Sequence, residues 1–305
     1  MQVARSFSDL PSFAESTIVA IGNFDGIHLG HKKIITCLIQ RAKANRLMSL
    51  IMTFAPHPGK VTGKGQIQLL QTEAQKLERL SDLGVDAVFF APFDATFAQL
   101  SSRDFFEQIV LAKLQAREII VGTNFRFGKN REGNVETLKV LADGNLPTVH
   151  SIPSVTVENE VVSSSLIRRL LQKGEIEKAN SFLGLPYEIR GEVIQGRSRG
   201  KGLGFPTANL KSANEILPRG VFITLVKENG QEFPSVTNIG TRPTFGHIHT
   251  QIETHVLDVD RDFYGKLLKL HFLQKIRDEI RFDSAQALSD QIRSDVLATR
   301  RFFEL

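Results

Sequence analysis

The sequence predicts an α/β protein in two parts: a doubly wound parallel sheet over residues 1–185, and a small antiparallel β-barrel with a terminal helix over residues 186–305. Three observations carry this. Through the first 150 residues, short apolar runs alternate with segments of helical spacing, the pattern of repeated β–α units whose sheet is covered on both faces. Gly184-Leu185-Pro186 then breaks the chain. Beyond it, short β-rich segments follow one another with turn residues between them, as in a small barrel.

The elements follow in order. Thr17 to Ile21 is an apolar run ending at Gly22, a buried strand. His31 to Ala44 has helical spacing, with Ile34, Ile35, Leu38 and Ile39 on one side. Leu47 to Phe54 is a second strand, and Thr72 to Leu83 an amphipathic helix striped by Leu77, Leu80 and Leu83. Asp86 to Phe93 is a third strand. Ser101 to Leu114 is a helix capped by Ser101 or Ser102, followed by a strand at Arg117 to Val121 and a helix at Val135 to Ala142. Val155 to Val162 reads as a hairpin, and Leu166 to Leu171 and Ile176 to Leu183 as short helices. In the second part, strands are expected at Tyr187 to Ile194, Val221 to Val226, Ile252 to Leu257 and Leu267 to Phe272, with Asn229-Gly230 as a hairpin turn. Ser284 to Phe303 closes the chain as an amphipathic helix.

Bulk properties narrow the class. Hydrophobic residues make up 41% and charged residues 23% of 305, a globular profile with enough apolar material for two cores. The single cysteine, Cys37, rules out an intramolecular disulfide, fits a reducing cytoplasm and sits in an apolar run that predicts a buried small hydrophobe. The first residues lack the layout of a signal peptide, and no apolar run approaches the roughly 20 residues that span a membrane. The net charge of +5 is a mild excess, suited to small anionic ligands such as nucleotides and weak as a signal for nucleic acid.

The most informative segment is Gly22-Asn23-Phe24-Asp25-Gly26-Ile27-His28-Leu29-Gly30-His31. It follows a strand and opens a helix, where free N–H groups and the helix dipole favour a phosphate. Gly22, Gly26 and Gly30 allow the backbone close to a ligand. His28 and His31, three apart, can face one ligand and hydrogen-bond phosphate oxygens as charge builds in a transition state. The segment resembles the nucleotidyltransferase family with the His-x-Gly-His signature. That resemblance implies transfer of a nucleotidyl group with release of pyrophosphate, with Gly22, Phe24 and Gly30 at the ATP phosphates. Val162-Ser163-Ser164-Ser165-Leu166-Ile167-Arg168 is similar to a later segment of the same superfamily, which makes Ser164, Ser165 and Arg168 triphosphate contacts. Read physically, the serines can cap a helix or donate to phosphate, and Arg168 supplies a cationic fork. Phe54 to Pro58 and Val121 to Gly128 resemble the bacterial flavin-adenylylating branch. There Asn124 is implied to lie near the flavin phosphate, while Ala55 stands where an Asp is often found.

The second constellation is Gly196-Arg197-Ser198-Arg199-Gly200-Lys201-Gly202-Leu203-Gly204-Phe205-Pro206-Thr207-Ala208-Asn209. A basic, glycine-rich loop suits a flap over polyphosphate, with Arg197 and Gly202 as candidate ATP contacts. Thr207 and Asn209, two apart on an extended segment, share a face and can ligate Mg²⁺ together with phosphate oxygens. The segment resembles the riboflavin kinase signature Pro-Thr-Ala-Asn. The resemblance continues through Leu217 to Phe222 (with Phe222 where Tyr is usual), Asn238 to Phe245, Glu253 to Asp258, Phe263 to Lys266, Ile276 to Glu279 and the terminal helix. It implies that Glu253 deprotonates the riboflavin 5′-hydroxyl as general base. His255 shares the Glu253 face and is expected to be structural. Together the resemblances imply a bifunctional enzyme using ATP, riboflavin and FMN, making FMN and FAD with Mg²⁺.

Other motifs fail on spacing. Gly59 to Gly65 has three residues between its glycines and no Ser or Thr after the lysine, so it is no P-loop. No Cys/His cluster has zinc spacing. A nucleotidyltransferase with a non-catalytic C-terminal module, or an RNA-binding regulator using the basic loop, remains open on the residues alone; that loop lacks interleaved aromatics.

Overall fold

The computed structural model describes residues 1–10, 17–63, 67–144, 146–196, 204–244 and 247–305. The basic loop with Arg197 and Gly202 lies outside the described residues. The chain forms two compact units, Met1–Gln68 with Glu73–Ser163, and Leu69–Thr72 with Ser164–Leu305.

The first unit is a six-stranded sheet in the order β1-β4-β3-β2-β5-β6, comprising β1 (Gln2–Ala4), β2 (Thr17–Ile21), β3 (Met48–Ala55), β4 (Ala87–Pro92), β5 (Ala116–Gly122) and β6 (Thr148–Ile152). Every pairing in it is parallel. Strand alternation splits the core between two faces. Ile18, Ala20, Ile51, Val88, Phe90 and Ile120 pack with Ile35, Leu38 and Ala42 of α1 (Leu29–Asn45) and Leu80 of α3 (Glu73–Asp82). Val19, Ile21, Met52, Phe89, Ile119 and Val121 pack with Phe106, Val110 and Leu138 on the other side. Leu138 belongs to α5 (Val135–Ala142), which a reciprocal Asn134–Thr137 capping box starts. Two short helices complete the early set, α2 (Pro58–Val61) and α4 (Ser102–Asp104), the latter capped by Ser101. The helix expected to continue to Leu114 instead widens into a π-helical stretch, Phe105–Leu111, which buries Phe105, Phe106, Ile109 and Val110 together. The expected hairpin is β7 (Thr156–Val157) with β8 (Glu160–Val161). Cys37 is half-buried at the edge of the core rather than buried, and that partial burial raises its thiol pKa.

The second unit is a closed antiparallel barrel in the order β10-β13-β12-β11-β14-β9, formed by β9 (Tyr187–Ile194), β10 (Ala208–Ser212), β11 (Gly220–Glu228), β12 (Gln231–Thr244), β13 (His247–Val256) and β14 (Leu267–Arg277). Its interior is partly polar. Thr224, Ser235, Thr237 and Thr254 are fully buried and linked hydroxyl to hydroxyl at 2.7–2.9 Å. Phe222 is also fully buried, edge-on to Phe272 at 5.3 Å between ring centroids. Helices α6 (Ser164–Lys173) and α7 (Ile176–Leu183) precede the chain break at Pro186 yet belong to this unit. Asn180 of α7 explains the attachment: its amide donates to the Phe272 carbonyl and accepts from the Tyr187 N–H. The terminal helix α8 (Ala285–Phe302) starts at a Ser284 cap and is latched by Asp295, a buried carboxylate that Arg277 grips through two nitrogens.

Candidate active sites

Strand order locates the first site. After β2 the chain enters α1 on one face of the sheet, and the next helix after β5, α5, lies on the other. Neighbouring strands β2 and β5 therefore form the switch point of the sheet, where a crevice opens beyond their carboxyl ends. The glycine-histidine segment leaves β2 at that crevice, and Gly122-Thr123-Asn124 leaves β5.

The loop from Gly22 to His28 is tightly specified. Phe24 (φ 45°), Gly26 (φ 87°) and Ile27 (φ 41°) take left-handed backbone, costly for two non-glycine residues. Burial offsets the cost, because Phe24 and Ile27 are each 1% exposed and pack in the core. Gly22 anchors the entry, its N–H donating to the Met52 carbonyl at 3.1 Å. His28 caps α1, and its Nδ1 accepts from the His31 N–H at 3.3 Å, so the neutral His28 ring carries its proton on Nε2. The His28 and His31 rings stack 3.7 Å apart at 17°. Gly30 packs close beneath the stack: a Cβ there would stand 3.2 Å from the His28 ring, which would have to shift by a few tenths of an ångström.

His31 Nδ1 is buried without a hydrogen-bond partner. Burial, followed by the charges of His28 and Lys76, pushes the His31 pKa well below the ordinary histidine value. The stacked imidazole pair stands at a helix N-terminus, where the helix dipole favours an anion. Asn124 is exposed in the turn after β5, where its amide donates to Ser154 Oγ at 3.3 Å. Beside these strand ends runs an aromatic row that the sequence reading missed: Phe54, Phe93 and Phe97 are in mutual ring contact, and Phe125 stacks on Phe127. Lys76 and Arg79 were missed as well, although a signal existed. Lys76 stands four residues before Leu80, a lysine on the buried stripe of α3.

The barrel site is built from register. Glu253 of β13 pairs directly with Asn209 of β10 on one side and Asn238 of β12 on the other. Directly opposed residues share a face, so the carboxylate is flanked by two amides on the face opposite buried Thr254. Asn209 and Glu253 are half-buried, and Thr207 is exposed just before β10. Gly196 lies against the Asn209 side chain so closely that a Cβ there would land on its amide. His255 holds the preceding segment in place: its Nδ1 hydrogen-bonds the Pro206 carbonyl at 2.8 Å, and its ring packs edge-on to Phe205. Ser164 and Ser165 are the first two residues of α6, and Arg168 follows one turn later. Among the described residues, no group of three His, Cys, Asp or Glu side chains is placed to hold a metal ion.

A parallel-sheet unit with a glycine-histidine loop at its switch point, followed by a closed barrel with a carboxylate between two asparagines, is the architecture of a two-unit nucleotide-handling enzyme. The sequence matches the family model for FAD synthetase over residues 10–166 and that for riboflavin kinase over residues 183–303. It is 34% identical to the bifunctional riboflavin kinase/FMN adenylyltransferase of Bacillus subtilis over 94% of this chain and 92% of that one. It is 35% identical to the Escherichia coli K12 protein of the same description over 95% and 94%. The chain belongs to the bifunctional riboflavin kinase/FMN adenylyltransferase family. A solved structure from Streptococcus pneumoniae, described as a macrolide-efflux protein, superposes with a TM-score of 0.89 at 28% identity over 98% of each chain. The efflux description is of that protein; among the described residues here, no helix is long and apolar enough to cross a membrane.

Proposed function

We propose that the two sites act on one flavin in series, residues 186–305 phosphorylating riboflavin with ATP and residues 1–185 adenylylating the resulting FMN to FAD with release of pyrophosphate. The family membership supports both reactions. The observation that carries the residue assignment is the stacked His28–His31 pair at the switch point, with a buried imidazole nitrogen left without a partner.

In the first unit, the α1 N-terminus and the backbone around Gly22, Phe24 and Gly30 would bind the ATP phosphates. His28 Nε2–H and the His31 ring would donate to oxygens that gain charge as FMN phosphate attacks the α-phosphorus and pyrophosphate departs. The catalysis is positioning and charge stabilisation, with no covalent enzyme intermediate. Asn124 is assigned to the flavin phosphate, and the neighbouring phenylalanines offer flat apolar surface for a ring system. Ser164, Ser165 and Arg168, which fall in the second compact unit, are assigned to phosphate on the motif alone.

In the barrel, Glu253 would take the proton of the riboflavin 5′-hydroxyl as the oxygen attacks the γ-phosphorus of ATP and ADP departs. Asn209 and Asn238 flank that carboxylate and hold the acceptor end of the site. The Thr207 hydroxyl and the Asn209 amide oxygen are hard, neutral donors of the kind that share Mg²⁺ with phosphate oxygens and water. Mg²⁺ bound there would neutralise charge on the transferring phosphoryl group. Arg197 and Gly202, in the adjoining basic loop, are assigned to ATP on sequence. Nothing in the proposed reactions calls for nucleic acid or a membrane, and the cytoplasm is the compartment that fits.

The test is incubation of the purified full chain with riboflavin, ATP and Mg²⁺, with products separated by chromatography. FMN should appear first and FAD and pyrophosphate later. Recovery of neither flavin nucleotide from folded protein would refute the assignment.

A further inference from the structure

Behind the phosphate loop lies a buried cation that neither proposed reaction uses. Lys76 of α3 is 9% exposed. Its ammonium donates to the Asn23 carbonyl at 2.9 Å and to Thr53 Oγ1 at 3.4 Å. Thr53 Oγ1 in turn donates to the same Asn23 carbonyl at 3.0 Å. One turn along α3, Arg79 donates to the Gly26 carbonyl at 3.3 Å. Two cations on one helix face thus hold two carbonyls, Asn23 and Gly26, of the loop that carries the left-handed residues Phe24, Gly26 and Ile27.

We propose that Lys76 is the positioning residue of the phosphate loop: its buried ammonium fixes the Asn23 carbonyl on the side away from the nucleotide, so that the loop N–H groups and the His28–His31 pair are presented to the phosphates. The inference rests on the assignment of this loop to ATP. Three facts favour it over a merely structural lysine. A lysine on the stripe of an amphipathic helix is expensive to bury, and burial lowers its pKa while the Asp25 and Glu73 carboxylates oppose that shift. A peptide carbonyl facing a triphosphate would repel it, and a cation is the strongest way to turn one aside. The Lys76 charge also reaches His31, where it disfavours a second positive charge before an anion arrives. Lys76 therefore acts on the loop and the imidazoles together without contacting substrate.

Lys76→Met in the full chain, which keeps the apolar stem and removes the ammonium, tests this. With ATP and FMN as substrates, kcat for FAD formation should fall and KM for ATP should rise, together about a hundredfold in kcat/KM, the cost of displacing reacting groups by about an ångström. Riboflavin phosphorylation by the same molecules should stay within about twofold, since it is read from the other unit. Lys76→Arg, which restores a cationic donor, should recover a substantial part of the loss. Parent-like FAD formation by folded Lys76→Met overturns the proposal, as does a folded Lys76→Arg no more active than the methionine variant. Lys76→Gln keeps a donor without the charge and is read where Lys76→Met does not fold; parent-like FAD formation by folded Lys76→Gln likewise overturns it. The His28→Ala/His31→Ala variant separates the two levels. If that variant still makes FAD, the loop assignment is wrong; if it does not while Lys76→Met does, only the role of Lys76 is wrong.

Discussion

The two proposed sites are built in opposite ways. In the first unit the site is made of backbone: a loop with three left-handed residues, a helix N-terminus and two stacked imidazoles, all sealed from behind by buried side chains. In the barrel it is made of side chains set on paired strands, where register alone lines up Asn209, Glu253 and Asn238. A backbone site is rigid and couples function to local stability. A strand-face site lets single side chains be exchanged with little effect on the fold.

The largest expected break in this comparison is Glu253→Gln. It keeps size and register and removes the base, so riboflavin phosphorylation should fall about 10²- to 10⁴-fold while added FMN is still adenylylated. Its melting temperature should match the parent, as a strand-face site requires. His28→Ala with His31→Ala should cut FAD formation about 10²- to 10³-fold and leave FMN formation intact. Here a loss of thermal stability should accompany the loss of activity, because the helix cap goes with His28. Gly196→Ala has a smaller effect. The added Cβ would displace the Asn209 amide, raising KM for ATP with Mg²⁺ in the kinase reaction by roughly tenfold while stability changes by under about 1 kcal/mol.

The smallest effect is in pH dependence. The folded protein holds the His31 pKa well below its ordinary value of 6.5, whereas the unfolded chain binds a proton at about that value. The unfolded state then binds more protons as pH falls through 6.5, so the contribution present above that pH is progressively lost below it. The melting temperature of the first unit should drop between about pH 7 and about pH 5, and His31→Ala should flatten the slope. An unchanged slope would place the titration elsewhere.

Much of this was readable from the chain. The strand Thr17–Ile21 and the helices Val135–Ala142 and Ile176–Leu183 end where periodicity and caps place them. Asn229 and Gly230, at φ 49° and 80°, form the hairpin turn that their pair predicts. The histidine loop and the Glu253 strand were legible because each motif is continuous in sequence. What stayed hidden depends on distance along the chain. Lys76 reaches the carbonyl of a residue more than fifty positions earlier, and only its placement on an apolar stripe hinted that it was needed. Asn238 joins Glu253 through strand register, which no local pattern states. The packing of α7 with the barrel is tied by Asn180, a polar residue whose two backbone partners lie beyond the chain break.

In the parallel sheet two strands, β1 and β6, escaped the sequence reading for a common reason: neither is an apolar run. They are also the two edges of the parallel sheet. β1 is three residues long, with Gln2 and Val3 exposed, and β6 reads Thr-Val-His-Ser-Ile with no residue fully buried. A free sheet edge is a template for another chain, and short or polar edge strands make poor templates. The weak pattern that conceals these strands from a reader of the sequence should also conceal them from other copies of the protein, protecting the flavin-adenylylating unit against strand-on-strand aggregation at the concentrations at which an enzyme is stored and used.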